Sequence, residues 1–218
     1  LNEIVNEYIE SMIPDRTDLF QEMERFAEAN NVPIMELAGI EALLQILRIQ
    51  KPKRILEIGT AIGYSALRMA HALPEASIVT IERDPERFQA AKEYITRIGY
   101  SDRVIVLEGD ALDLAACTNT MGPFDAIFID AAKGQYTKFF EMYSEQLADA
   151  GCVYTDNVLF KGLVAEKEIE NKRIRNLVAK IKRYNEWLMT HPDYLTSIMP
   201  VGDGLAVSIR RGEENENA

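Results

Sequence analysis

The stretch Ile55-Leu56-Glu57-Ile58-Gly59-Thr60-Ala61-Ile62-Gly63-Tyr64-Ser65-Ala66-Leu67 decides the fold. A short apolar run, beginning at Arg54, reads as a buried strand. Gly59 to Gly63 reads as a turn, and a helix follows to about Leu73. The same unit repeats downstream. Ser77 to Ile81 is a second strand, leading into a helix opened by Pro85, and Val104 to Leu107 is a third. Phe124 to Ile129 is a fourth strand, followed by a helix around Gln135 to Leu147, and Cys152 to Thr155 is a fifth. Strands alternating with helices predict a largely parallel sheet covered on both faces.

Working outward, residues 1–50 read as an N-terminal helical segment. Leu37, Ile40, Leu43, Leu44 and Leu47 recur at helical spacing, and Asn30-Asn31-Val32-Pro33 separates two helices. At the other end a long helix, about Ile169 to Met189, precedes two strands, Leu195 to Pro200 and Leu205 to Arg210. Only Val201-Gly202-Asp203-Gly204 joins them, which permits an antiparallel hairpin and forbids a parallel crossover. An α/β sheet of this kind, mostly parallel and finished by an antiparallel hairpin, suits a Rossmann-like class I methyltransferase better than a plain dinucleotide-binding fold.

The 218 residues fit one domain, residues 1–218, with a polar tail from Gly212 to Ala218 expected to be disordered. No apolar run approaches the ~20 residues needed to span a membrane. The acidic, amphipathic start Leu1-Asn2-Glu3-Ile4 is not a secretory signal, and Cys117 and Cys152 have no metal-type spacing. A reducing, cytoplasmic location is the simplest expectation. The net charge of −11 argues against a generic nucleic-acid coat. One stretch departs from that average. Lys161, Lys167, Lys172, Arg173, Arg175, Lys180, Lys182 and Arg183 are opposed only by Glu166, Glu168 and Glu170. It reads either as a solvated helix face or as a surface for an anionic partner.

Ligands of open parallel sheets bind beyond the carboxyl ends of the strands. Here Gly59 to Gly63 is not the dinucleotide pattern, because position 61 is alanine and the glycines stand four apart. Glu57 would repel a pyrophosphate but could hold an ammonium, directly or through water. S-adenosylmethionine carries an ammonium and a sulfonium and has no phosphate. Glu82, at the end of the second strand, can accept two ribose hydroxyls, and Gly109-Asp110-Ala111 lies at the depth of an adenine edge. Asp130 ends the fourth strand, and Asp156-Asn157 ends the fifth. Two carboxylates and an amide oxygen form a hard-oxygen set suited to Mg²⁺ or Ca²⁺, and no His or Cys lies in these segments to favour zinc. A divalent cation beside a methyl donor would bind two adjacent acceptor oxygens and acidify the hydroxyl to be methylated. Lys133, three residues after Asp130, is placed to act as general base; on position alone it is also an ordinary surface lysine.

Together with Phe128 to Tyr136, Thr155-Asp156-Asn157 and Pro200 to Leu205, the opening stretch closely resembles the cation-dependent O-methyltransferase family, which includes catechol and caffeoyl-coenzyme A methyltransferases. The resemblance runs from about Val32 to Arg210. It implies a seven-stranded sheet and a homodimer. It implies cofactor contacts at Met35, Glu57, Gly59, Tyr64, Ser65, Glu82, Ala111 and Asp130, to which the turn and strand-end reading adds Gly63 and Asp110. It also implies metal ligation by Asp130, Asp156 and Asn157, with Lys133 at the reacting hydroxyl. Val32 to Glu36, Asp156 to Ala165 and Asn185 to Tyr194 are similar to the bacterial tRNA 5-hydroxyuridine methyltransferases. The acceptor implied is then an anticodon-loop uridine, whose hydroxyl neighbours the O4 carbonyl, with the basic stretch on its phosphates. A small catechol-like phenol is the alternative acceptor. A nucleotide-binding module without activity is the remaining reading, disfavoured by Glu57. Trp187 is expected to be packed, His191 to end a helix, and Asp203 to serve the hairpin turn.

Overall fold

Three helices precede the first strand in this computed structural model, which describes residues 3–212: α1 (Glu3–Met12), α2 (Asp18–Ala29) and α3 (Leu37–Gln50). Leu1, Asn2 and nearly all of the expected polar tail lie outside the described residues. The spacing that predicts α3 is the spacing that packs it, with Ile40, Leu43, Leu44 and Leu47 all buried. Asn30 caps α2 and Asn31 takes a left-handed conformation (φ 52°), which turns the chain before Pro33.

The alternating part follows as β1 (Arg54–Ile58), α4 (Tyr64–Ala72), β2 (Ser77–Glu82), α5 (Pro85–Ile98), β3 (Val104–Glu108), α6 (Ala115–Asn119), β4 (Phe124–Ile129), α7 (Tyr136–Ser144) and β5 (Leu147–Thr155). It ends in α8 (Lys172–Met189), β6 (Tyr194–Met199) and β7 (Leu205–Arg210). The seven strands form one sheet in the order β3-β2-β1-β4-β5-β7-β6. β1 to β5 are parallel, and the β6–β7 hairpin is antiparallel, as expected. Alternate strand residues feed two cores. Ile55, Ile78 and Phe128 pack against α3 and α4, while Leu56, Val79 and Ile127 pack against α7 and α8.

Three boundaries differ from the sequence reading by more than one residue. The helix expected to reach Leu147 stops at Ser144, and Leu147 instead opens β5, pairing with Phe124 across a register shift. The fifth strand therefore begins five residues before Cys152. The long helix begins at Lys172, not Ile169, because the Asn171 side chain accepts from the Arg173 and Ile174 amides and fixes the start. Trp187 packs edge-on to Phe140 and stacks near Tyr184, and His191 ends the helix among the same rings.

The strand order reverses between β1 and β4, where an open parallel sheet leaves a crevice at its carboxyl edge. α8 stands beside that edge. The Tyr184 hydroxyl pairs with Thr155 Oγ1 at 2.8 Å, level with the end of β5. Lys172 lies twelve residues earlier, so the helix rises roughly 18 Å above this point. No helix among the described residues is long and apolar enough to cross a membrane.

Candidate active site

The carboxyl ends of the central strands are laced to one another before any side chain is considered. Gly59 and Thr60 donate to Ile81 O at 3.1 Å, Gly109 to Glu82 O at 2.9 Å, Asp130 to Ile58 O at 2.9 Å and Asp156 to Ile129 O at 3.0 Å. Gly59 has φ 109°, and a Cβ there would stand 2.0 Å from Asp130 O, so only glycine lets β1 and β4 close. The laced edge floors a cavity of about 350 Å³, within the range of small-ligand sites.

The expected cofactor residues divide into those that line this cavity and those that shape it. Met35, Gly59, Tyr64, Ser65, Glu82, Asp110, Ala111 and Asp130 line it. Glu82 Oε2 accepts from Ala61 N at 2.7 Å and Oε1 from Asp84 N at 2.9 Å, which aims the carboxylate along the edge. Gly63 does not line the cavity; it supplies the left-handed turn (φ 87°) that starts α4 against Ala91. Nor does Glu57 line it. That carboxyl is wholly buried under the turn and bonded to the Ser65 hydroxyl and, at 2.5 Å, to Thr80 Oγ1. Burial drives its pKa up to about 8, against the pull of those two hydroxyls; Asp130 and Glu82 push further the same way. Of the acidic strand ends, Glu82 and Asp110 therefore face the cavity, and Glu57 communicates with it through Ser65.

At the β4–β5 end the predicted trio converges. Asn157 Nδ2 is 2.7 Å from Asp156 Oδ2 and 3.2 Å from Asp130 Oδ1. Asn157 has φ 63°, a conformation asparagine tolerates better than most residues, and it faces the cavity while Asp156 lies behind it, 3% exposed. Burial raises the pKa of both carboxyls. Lys133 opposes the rise at each, and Asp156 is raised further by Asp130 and lowered by the Asn157 backbone N–H. Two carboxylates bridged by one amide, Asp156 buried and Asp130 half-buried, with one lysine beside them, form a donor set that a divalent cation fits. A half-turn of the Asn157 amide would present its oxygen as the third ligand. Among the described residues no group of three or more His, Cys, Asp or Glu gathers as a metal site.

The loop after Asn157 is fastened from three sides. Tyr136 OH donates to Asp156 O at 3.0 Å and Asn185 Nδ2 to Val158 O at 2.7 Å, while Asp203 O accepts from the Leu159 and Phe160 amides. Asp203, expected to serve the hairpin turn, thus also ties that turn to the site. Lys133 sits on a short 3-10 turn (Lys133–Gln135), its Nζ 5.7 Å from the centre of the Phe160 ring.

Sequence reasoning missed Arg83, Arg87, Leu112, Gln135 and Phe139 in the lining, and Tyr136 and Asn185 behind it. Arg83 was open to reading, since it directly follows a strand-end carboxylate. Asn185 was not, since nothing local to the helix marks which face meets the loop.

The O-methyltransferase family model matches residues 10–211. Catechol O-methyltransferase of Niastella koreensis is 31% identical over 217 residues, spanning 95% of this chain and 96% of its own. A Staphylococcus aureus structure provisionally named a caffeoyl-CoA O-methyltransferase superposes with a TM-score of 0.90 at 37% identity, over 96% of this chain and all of that one. An O-methyltransferase from Bacillus cereus, solved in complex with SAH, superposes at 0.80 with 27% identity, over 95% and 97% of the two chains.

Proposed function

The chain belongs to the O-methyltransferase family, and from that premise we propose that it transfers the methyl group of S-adenosylmethionine to the 5-hydroxyl of 5-hydroxyuridine in tRNA, with a divalent cation held by Asp130, Asp156 and Asn157. One observation carries the reading. Asp130, Asn157 and Lys133, with Asp156 directly behind Asn157, line the same cavity as the carboxylate-bearing crevice expected to take the methyl donor. The SAH-bound relative supports that use of the crevice.

In this reading Glu82, oriented by the Ala61 and Asp84 amides, accepts the ribose hydroxyls. Ser65 and the Gly59–Gly63 turn receive the amino-acid end, with Glu57 beneath them; a cofactor ammonium overhead favours the ionised form of that carboxyl. A divalent cation, when bound, supplies Lewis acidity to two adjacent acceptor oxygens. Lys133 Nζ, as the free amine, takes the hydroxyl proton and becomes the ammonium. The new O–CH₃ bond forms as the S–CH₃ bond breaks, and that bond's electron pair stays on sulfur. The fastened loop holds the acceptor oxygen in line with the sulfonium, an orientation effect.

The RNA acceptor is favoured over a free catechol by α8, whose N-terminal turns carry Lys172, Arg173, Arg175 and Lys180 above the site. The homodimer implied by the resemblance is supported by the exposed apolar side chains Val5, Tyr8 and Met12 on α1. The test is labelled methyl transfer to tRNA from cells lacking this enzyme, with nucleoside mass spectrometry and simple catechols in parallel. Label appearing as 5-methoxyuridine is the expected result. Brisk catechol turnover with unlabelled tRNA would overturn the acceptor and leave the O-methyltransferase standing.

A further inference from the structure

We propose that Lys180 is a phosphate-binding residue of the acceptor site, contacting a phosphate next to the group that is methylated; this rests on the nucleotide-acceptor reading above. Its ammonium is folded over the catalytic turn. A Cβ built on Gly134 would lie 3.3 Å from Lys180 Nζ and 3.7 Å from its Cδ. Gly134 is the residue after Lys133, and Ala132, Lys133 and Gln135 all line the cavity. A second ammonium therefore stands beside Gly134, against the turn that carries the first.

This charge has no protein partner. Among the described residues Lys180 is exposed and makes no ion pair or side-chain hydrogen bond. It does not serve the buried carboxylates either, since Lys133 is the cation that opposes the raised pKa of both Asp130 and Asp156. The cavity is already asked to take a sulfonium and a divalent cation. A further uncompensated ammonium at its mouth raises the energy of a neutral acceptor complex little, but it stabilises an anionic one, and more so in a partly water-excluded cleft. Phosphate is the fitting anion, because lysine binds it as a point charge without demanding planar geometry.

The helix extends the feature into a ridge. At 100° per residue, Arg173 lies within about 20° of Lys180 around the α8 axis and about 10 Å further from the sheet. Arg183, one turn the other way, flanks the same side. The buried stripe of Val178, Ile181, Tyr184 and Leu188 runs alongside, its nearest member Tyr184 one turn from Lys180. A ridge of that pitch suits the phosphates of a single strand leading away from an inserted nucleotide, with Lys180 on the one nearest the chemistry.

The experiment compares Lys180→Met and Lys180→Arg with the wild type on four acceptors: undermodified tRNA, 5-hydroxyuridine, its 5′-monophosphate, and caffeoyl-coenzyme A. The expected result is that Lys180→Met raises KM for tRNA and the monophosphate about tenfold, with kcat and cofactor Kd unchanged. The free nucleoside should be unaffected, and Lys180→Arg should restore most of the loss. The slope of log kcat/KM against log salt for tRNA should shrink by about 0.7, one single-strand phosphate contact. Equal losses on nucleoside and tRNA would overturn the proposal, because Lys180 would then merely organise the Lys133 turn. Unchanged KM and salt slope would overturn it as well. Dependence on Lys180 with caffeoyl-coenzyme A and none with tRNA would keep the phosphate site and remove the RNA acceptor. A wild type that methylates no phosphate-bearing acceptor would remove both.

Discussion

Glu57 makes the stability of this protein fall with rising pH, and Glu57→Gln should abolish that part of the slope. Its pKa is about 8 in the folded chain, against 4.5 for an ordinary glutamate. Between those values the folded state holds a proton that the unfolded state has released. Unfolding then becomes easier as pH rises, by at most about 1.4 kcal/mol per pH unit. Below pH 4.5 both states are protonated and the contribution is fully present; above pH 8 both are ionised and it has been lost. The full span of 3.5 units corresponds to at most about 5 kcal/mol. Relaxation and water penetration around a newly charged carboxylate reduce this to roughly 2–3 kcal/mol. Glutamine is close to isosteric, its oxygen can still accept from Ser65, and its amide can donate to Thr80, so the variant should fold. Asp130 and Asp156 also have raised values, so the wild-type slope alone does not isolate Glu57. The difference between variant and wild type does. Urea unfolding of both proteins from pH 5 to pH 8, without cofactor and in EDTA, should show Glu57→Gln gaining on the wild type by roughly 2–3 kcal/mol across that range. A pH-independent difference would refute the reasoning and mean that Glu57 is ionised throughout.

Three further outcomes are expected. Gly59→Ala should cost at least about 3 kcal/mol in denaturant unfolding, or prevent folding, because its methyl group meets Asp130 O at 2.0 Å. Lys133→Met should lower kcat by 10²- to 10⁴-fold, roughly what general-base catalysis supplies, with calorimetric cofactor affinity unchanged. Divalent-ion affinity in that variant should not fall, since a like charge has been removed from beside the carboxylates. Asn185→Ala should weaken divalent-ion binding about tenfold in calorimetric titration at little cost in stability, because Val158 O loses its 2.7 Å donor. Asn185→Asp, which puts a second oxygen against that carbonyl, should bind the ion no better.

What was legible in the sequence follows from how local the causes are. β1, β2 and β4 announce themselves by buried apolar runs, β3 by an apolar run of which only Val104 is buried, and the four-residue link Val201–Gly204 dictates the hairpin. Asp130 and Asp156-Asn157 were readable as a converging set because strand order alone brings the ends of β4 and β5 together. The first half of β5 was not readable: Leu147-Ala148-Asp149-Ala150-Gly151 has no strand pattern of its own and is held by pairing with Phe124 and by the packing of Leu147. The position of Glu57 was half legible. Its place before the glycine turn pointed to the cofactor, but only packing shows that Thr80 and Ser65 occupy its oxygens. Asn185 and Lys180 act on loops 27 and 46 residues away, at Val158 and Gly134, and such contacts leave no local trace.

The most direct test of the central claim is methyl transfer by the wild type and Asp156→Ala, measured with Mg²⁺ and with EDTA, with S-adenosylmethionine binding followed by calorimetry in each sample. Transfer should require Mg²⁺ in the wild type and vanish in Asp156→Ala, while the cofactor binds in every case. Transfer that survives EDTA undiminished, or an Asp156→Ala enzyme as active as the wild type, would contradict the assignment of Asp130, Asp156 and Asn157 as a catalytic cation site.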